Sequence, residues 1–152
     1  MRKIFLLVLI TIALLAVTMV PAQAAEAIVS TDILGDIGGI FNGQYEMAMG
    51  NNLSLVAGVG FGIYSILGYT VSSTMIQAGA NYYLSKVLEG LYVGGELDLV
   101  IVNAEDVSGM GFGAMAVVGY KLNVGESFVI DPYAGIGLGG FGIGVKLGYA
   151  IK

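Results

Sequence analysis

The chain contains no cysteine, no histidine and no tryptophan, and only 11% of its 152 residues are charged. Without cysteine there can be no disulfide framework, and without histidine or cysteine we expect no zinc, haem or thiol chemistry. The formal net charge of −5 excludes a basic nucleic-acid-binding face. Soluble domains carry about 25% charged residues, so a composition this apolar argues against a soluble globular enzyme. No cofactor, metal or nucleic-acid partner is expected.

The N-terminus has the three parts of a secretory signal peptide. Met1-Arg2-Lys3 is basic, Ile4 to Val20 carries no charge, and Ala22-Gln23-Ala24 has the small-x-small pattern that signal peptidase cleaves. We predict a signal peptide over residues 1–24 and one mature domain over 25–152. The uncharged stretch is slightly longer than a usual signal core, which leaves an uncleaved membrane anchor as the alternative.

The region after the signal alternates with period two. From Leu53 to Ile63 the odd positions are apolar, whereas Gly58, Gly60 and Gly62 occupy the other face. Strict alternation predicts strands rather than helices. The predicted strands are eight in number and cover residues 27–34, 39–49, 52–65, 71–84, 89–103, 109–122, 127–138 and 141–152. Tight turns are expected at 50–52, 85–88 and 123–126, and longer loops at 65–70 and 103–108.

Aromatic positions indicate which face of these strands meets lipid. Five aromatic residues of the apolar face fall near the end with the tight turns: Tyr45, Tyr82, Tyr120, Phe128 and Tyr149. Four more form a band at the opposite height: Phe41, Phe61, Phe112 and Phe141. Two aromatic girdles around an aliphatic belt are typical of a membrane barrel. In the alternative, a secreted soluble β-sandwich or lipocalin-like barrel, the apolar face would point inward.

The mature region resembles the small eight-stranded outer-membrane β-barrels of Gram-negative bacteria. The resemblance rests on the signal, on the alternation of the final strand, and on strand ends such as Gly119-Tyr120-Lys121-Leu122 and Gly148-Tyr149-Ala150-Ile151. It implies an all-β, antiparallel, up-and-down transmembrane barrel in the outer membrane, with membrane lipid and the outer-membrane assembly machinery as partners. Such proteins usually end on an aromatic residue that the assembly machinery recognises, whereas this sequence ends Ile151-Lys152 and so departs from the resemblance at that signal but not in the barrel.

The same alternation places six charged side chains inside the barrel, where we predict a network of linked charges. These are Glu46, Glu96, Asp98, Lys121, Asp131 and Lys146. A two-residue turn at Gly139-Gly140 would place Asp131 opposite Gly148 and diagonal to Lys146, within reach of a long side chain. Bulky inward side chains could fill the remaining space: Tyr64, Met75, Tyr83, Tyr92, Met115 and Tyr133.

Motifs that would suggest chemistry have simpler explanations. Residues 135–140 and 137–142 match the dinucleotide pattern G-x-G-x-x-G, but a strand follows where that fold needs a helix. Paired inward acids could act as general acid and base, yet the chain has no histidine to serve as the usual base. The loop acids Asp36, Glu105 and Asp106 are more simply solvating groups than cation ligands. We therefore predict no catalytic residues.

Two classes of function remain. The first is a small outer-membrane barrel with a structural or interaction role and no turnover. The second is a narrow conduit, or a binder of one small or hydrophobic ligand in the glycine-lined lumen, because eight strands enclose room for side chains or for one small ligand. No oligomeric state is predicted. We also expect serine in place of the inward Gly94 or Gly144 to destabilise the barrel much less than arginine in place of the lipid-facing Leu97 or Val145.

Overall fold

The computed structural model describes residues 26–34, 40–66, 69–104, 107–138 and 140–151. They form a closed barrel of eight antiparallel strands, each paired with its neighbours in sequence and with β8 pairing to β1. The strands are β1 (Ala27–Asp32), β2 (Ile40–Ala48), β3 (Leu53–Ile66), β4 (Tyr69–Tyr83), β5 (Gly90–Ala104), β6 (Val107–Val124), β7 (Phe128–Gly137) and β8 (Gly140–Ile151). Within these residues, no helix is long and apolar enough to cross a membrane.

The predicted eight-stranded, all-β architecture is confirmed, and each strand boundary lies within two residues of its predicted position. The predicted signal peptide lies outside the described residues. The predicted loop lengths are wrong: only residues 67–68 separate β3 from β4, and only 105–106 separate β5 from β6. The connection between β4 and β5, predicted as a tight turn, spans six residues. These two connections are short because β4 and β6 each begin two residues before their predicted starts, at Tyr69 and Val107.

The last hairpin turns one residue earlier than predicted. Gly137 pairs with Gly140, so Asp131 stands directly opposite Lys146 rather than opposite Gly148. Gly140 adopts a φ of +112°, a conformation that glycine takes at little cost. Gly137, Gly139 and Gly140 could each occupy a turn position. The residue types alone therefore do not distinguish a turn centred on 138–139 from one centred on 139–140.

The β4–β5 connection folds back into the mouth of the barrel. Val87 and Leu88 are buried there beside inward residues of the barrel. The Val87 amide donates to the Asn51 carbonyl at 2.8 Å, and the Asn52 side chain donates to the carbonyls of Tyr83 and Ser85 at 2.8 and 3.0 Å. Leu88 has a φ of +63°, a left-handed conformation that non-glycine residues adopt only where the surroundings fix it. The loop therefore plugs the end of the barrel where β1 begins and β8 ends, and we call it the β4–β5 plug.

The ladder between β6 and β7 is interrupted at one point. Pairing runs from Met115 to Gly119 and resumes only at Leu122, opposite Ile130. The gap lies opposite Pro132, which has no amide hydrogen to donate to a neighbouring strand. On its other side, Pro132 remains in register with β8.

Candidate functional site

The inward faces of the strands bring polar and charged side chains together in a shielded lumen. Of the six charges predicted to face inward, five are at most 5% exposed: Glu46, Glu96, Lys121, Asp131 and Lys146. Asp98 is only partly buried. Burying charges is costly unless they are paired and hydrogen-bonded, so their partners determine what the lumen can do.

One group of these side chains, here called the tyrosine cluster, consists of Glu46, Tyr83, Tyr92, Lys121 and Asp131. The Lys121 ammonium lies 2.5 Å from Asp131 Oδ2 and 2.9 Å from Glu46 Oε2, and 5.1 Å from the centre of the Tyr92 ring. Tyr83 donates to Glu46 Oε1 at 2.6 Å, and Tyr92 donates to Asp131 Oδ1 at 3.0 Å. The two tyrosine rings lie 5.3 Å apart. One lysine thus links carboxylates of β2 and β7, and the two rings fill the space between them.

Glu46 has further donors besides the tyrosine cluster. Ser54 donates to its Oε1 at 2.5 Å and Asn81 donates to the same oxygen at 2.9 Å. A carboxylate that accepts several hydrogen bonds and faces an ammonium group is well compensated for its loss of water.

A second group extends the network toward the other end of the barrel. Lys146 Nζ lies 3.4 Å from Glu96 Oε1 and 4.6 Å from the centre of the Tyr133 ring. Gln77 donates to Glu96 Oε2 at 2.8 Å and accepts a hydrogen bond from Gln44. Although Lys146 stands opposite Asp131 in the ladder, its ion pair is with Glu96 across the lumen.

Asp98 is the one predicted network member that the structure does not bring into an ion pair among the described residues. Its Oδ1 is buried and has no hydrogen-bond partner there. Asp98 stands opposite Gly113 on β6, where no side chain is present to reach it. Conversely, Asp32 was not predicted to take part, yet it accepts a hydrogen bond from Tyr133. The first strand alternates poorly in sequence, so period two did not predict that Asp32 faces the lumen.

Tyrosines were predicted only as fillers of the lumen, but three of them are hydrogen-bond donors to carboxylates: Tyr83, Tyr92 and Tyr133. Their inward position follows from period two, and a buried tyrosine usually finds a partner for its hydroxyl. Because acidic residues share the inward face with these tyrosines, the sequence could have predicted that the tyrosine hydroxyls donate to carboxylates.

Inward glycines make room for these bulky side chains. A Cβ on Gly94 would lie 2.8 Å from the Ala80 carbonyl oxygen, and one on Gly144 would overlap the Tyr133 ring. A side chain at either position therefore requires neighbouring atoms to shift, because they already occupy the space. That serine here costs much less than arginine at Leu97 or Val145 stays a prediction. At Gly111, by contrast, a Cβ would meet no atom within 4 Å.

The aromatic residues predicted as girdles lie on the outer face. Tyr45, Tyr82, Tyr120, Phe128 and Tyr149 are all exposed, as are Phe41, Phe61, Phe112 and Phe141 of the second band. The register sets Phe128 opposite Tyr149 and Phe41 opposite Phe61. Aliphatic side chains occupy the wall between, including Val59, Leu97 and Ile143, each at least 64% exposed.

The family described as "Protein of unknown function (DUF3575)" matches residues 6–151. The chain belongs to the DUF3575 family. Among solved structures, the DUF3575 chain is similar to the N-terminal β-barrel domain of OprF from Pseudomonas aeruginosa, with a TM-score of 0.56 and 18% identity over 84% of this chain and 96% of that one. It also matches Ail, the attachment invasion locus protein of Yersinia pestis, with a TM-score of 0.46 and 13% identity over 84% and 97% of the two chains. No curated protein matches it.

The OprF likeness concerns the fold, which is that of a small outer-membrane barrel, as the sequence predicted. Among the described residues of the DUF3575 barrel, no three acidic, His or Cys side chains are placed to hold a metal ion. The carboxylates of the tyrosine cluster are occupied by lysine, tyrosine and serine. Chemically, this arrangement links the strands to one another, and each of the four carboxylate oxygens of Glu46 and Asp131 already accepts a hydrogen bond or faces the Lys121 ammonium.

Proposed function

We propose that this DUF3575 protein is a small barrel of the bacterial outer membrane with a structural or interaction role and no turnover. The observation that carries the proposal is the reversal of faces: charged side chains lie in the lumen, and aliphatic and aromatic side chains cover the outside. Soluble monomers rarely expose apolar patches larger than a few hundred Å². A surface of this kind around a closed barrel fits lipid, with the girdle residues at the two interfaces.

Export to the envelope is part of the same proposal. The basic start, the uncharged stretch and the Ala22-Gln23-Ala24 site support removal of residues 1–24. Intact-mass analysis of the envelope fraction should then find a chain that begins at Ala25 and sediments with outer membranes. A mass that still includes residues 1–24 would contradict cleavage and favour the uncleaved anchor.

A scaffold is favoured over a conduit because side chains cross the lumen near the plugged end. Tyr83 and Tyr92 are at most 1% exposed, and Lys121 joins carboxylates on β2 and β7. Below them, Val87 and Leu88 close the mouth. Continuous passage of ions would require these packed groups to separate.

Planar-bilayer recording tests the scaffold role directly. The purified wild-type barrel, with its β-structure verified by circular dichroism after reconstitution, should give no steady conductance. A steady, ion-selective conductance would overturn the scaffold role and establish the conduit.

A binder of one small ligand is the second candidate, and the glycines far from the plug favour it. Added Cβ atoms at Gly109, Gly111 and Gly142 would meet nothing within 4 Å, so the described residues leave space beside these glycines. Replacing Gly111 with Phe should fill that space. If the protein purifies with a bound small molecule, the Gly111→Phe variant should lose it, whereas a wild-type sample without one favours the scaffold.

A further inference from the structure

The plugged end of the barrel contains a half-open cavity that the lumen network does not use. Its volume is about 340 Å³, and it lies between the β4–β5 plug, the turn after β6, the start of β1 and the end of β8. Pockets that take small ligands measure about 300–1,000 Å³. This cavity is therefore large enough for one or two side chains of a partner, but not for a large ligand.

The floor of the cavity is apolar and held in place. Val87, Leu88, Ile28 and Ala150 line it. The plug is anchored by the Val87 amide, and the Ala150 amide donates to the Ser127 carbonyl at 2.7 Å. Because these backbone bonds fix the floor, the cavity exists before any partner arrives, which lowers the cost of binding.

The rim of the cavity is acidic. Among the described residues, three glutamates and one lysine line it: Glu26, Glu89, Glu126 and Lys86. Lys86 lies 3.9 Å from Glu89, which leaves Glu26 and Glu126 without an ion pair among the described residues. A partner that brings positive charge would therefore be attracted to this rim, and an acidic partner would be repelled.

We propose that this cavity, which we call the acidic mouth, binds a basic segment of another protein. One apolar side chain of the segment would enter the floor, and Lys or Arg residues beside it would face Glu26 and Glu126. The polar side chains of Asn123 and Ser127 also line the cavity and can accept or donate hydrogen bonds to a peptide backbone. The presence of this site at a membrane surface rests on the membrane placement proposed above, whereas binding itself does not.

The test uses the mature protein in lipid nanodiscs and a probe peptide, acetyl-Gly-Lys-Leu-Lys-Gly-amide, followed by amide chemical shifts. Binding should shift the amides of Gly125, Ser127 and Leu88 and leave those of the loops at the far end unchanged. Replacing both Glu26 and Glu126 with Gln should weaken binding by about two- to five-fold for each carboxylate, the range expected for exposed ion pairs.

Two controls distinguish binding at this cavity from nonspecific electrostatic attraction between a basic peptide and an acidic protein. The Lys86→Gln variant removes the one lysine that lines the cavity among the described residues, so it should bind the probe at least as tightly as wild type. A peptide with Ser in place of Leu should bind more weakly, because it leaves the apolar floor empty. Equal shifts from acetyl-Gly-Glu-Leu-Glu-Gly-amide, equal shifts from butylammonium alone, or no effect of the Glu26 and Glu126 substitutions would overturn the proposal. Since the assay uses purified protein, its failure would leave the fractionation and conductance results unaffected.

Discussion

Replacing Lys121 with Met should destabilise the barrel by about 3–5 kcal/mol, the usual cost of leaving a buried charge without its partner. The lysine side chain is 3% exposed, and the carboxylates of Asp131 and Glu46 that it contacts are 3% and 6% exposed. Among the described residues, no second cation lies within ion-pair distance of either carboxylate. The substitution keeps most of the side-chain volume, so lost electrostatic compensation dominates the effect. Total stabilities are typically about 5–15 kcal/mol, which makes this a large fraction.

Substitutions of two other lysines provide comparison values for the free energy of unfolding. Lys146→Met should cost less than Lys121→Met, because Lys146 has one ion pair at 3.4 Å, whereas Lys121 has two, at 2.5 and 2.9 Å. Lys86→Met should cost at most about 1 kcal/mol, since that pair is on the surface, with 65% and 54% of the two side chains exposed.

Reversible urea unfolding in lipid vesicles would give the three free energies of unfolding. Adding Asp131→Asn to the Lys121→Met variant should recover part of the loss, because it removes one uncompensated charge. If Lys121→Met costs no more than Lys86→Met, the lumen is hydrated and the argument for an occluded scaffold fails.

Two further substitutions test the assignment of the faces and of the lumen space, both by the same unfolding assay. Leu97→Arg should cost about 2–4 kcal/mol, since Leu97 lies mid-strand on the lipid side and is 66% exposed; a cost near zero would mean that this face meets water. Gly94→Ser should destabilise more than Gly111→Ser, because a Cβ meets the Ala80 carbonyl at the first position and open space at the second; equal costs would contradict the packing described for the lumen.

Period-two alternation was sufficient to predict the number of strands, their boundaries and the inward direction of Glu46, Lys121 and Asp131. It could not predict which charges pair. In a tilted barrel, inward side chains meet across the lumen as well as along the ladder, so Lys121 reaches Glu46 on β2 and Lys146 reaches Glu96 on β5. Those contacts depend on strand stagger, which alternation does not specify.

The β4–β5 plug shows a second limit. The short stretch at 85–88 between two alternating segments predicts a tight turn, and Val87 and Leu88 gave no periodic signal of burial. Their burial depends on Asn51 and Asn52 in a neighbouring connection, whose hydrogen bonds hold the loop in place. Leu88 adopts a left-handed conformation that sequence propensity disfavours for leucine, so tertiary contacts determine the geometry.

The break in the β6–β7 ladder has a consequence for how the barrel opens. At the position where Pro132 interrupts backbone pairing, Lys121 and Asp131 are joined from the inside at 2.5 Å. At this gap, the side-chain ion pair connects β6 to β7 in place of the main-chain hydrogen bonds that connect the two strands elsewhere. Local opening is easiest where the fewest bonds must break, so along the β6–β7 seam it should start at this gap once the Lys121–Asp131 ion pair is lost. A substitution that removes the Lys121 charge should therefore weaken the wall at this gap as well as leave a carboxylate in the lumen without its ion pair.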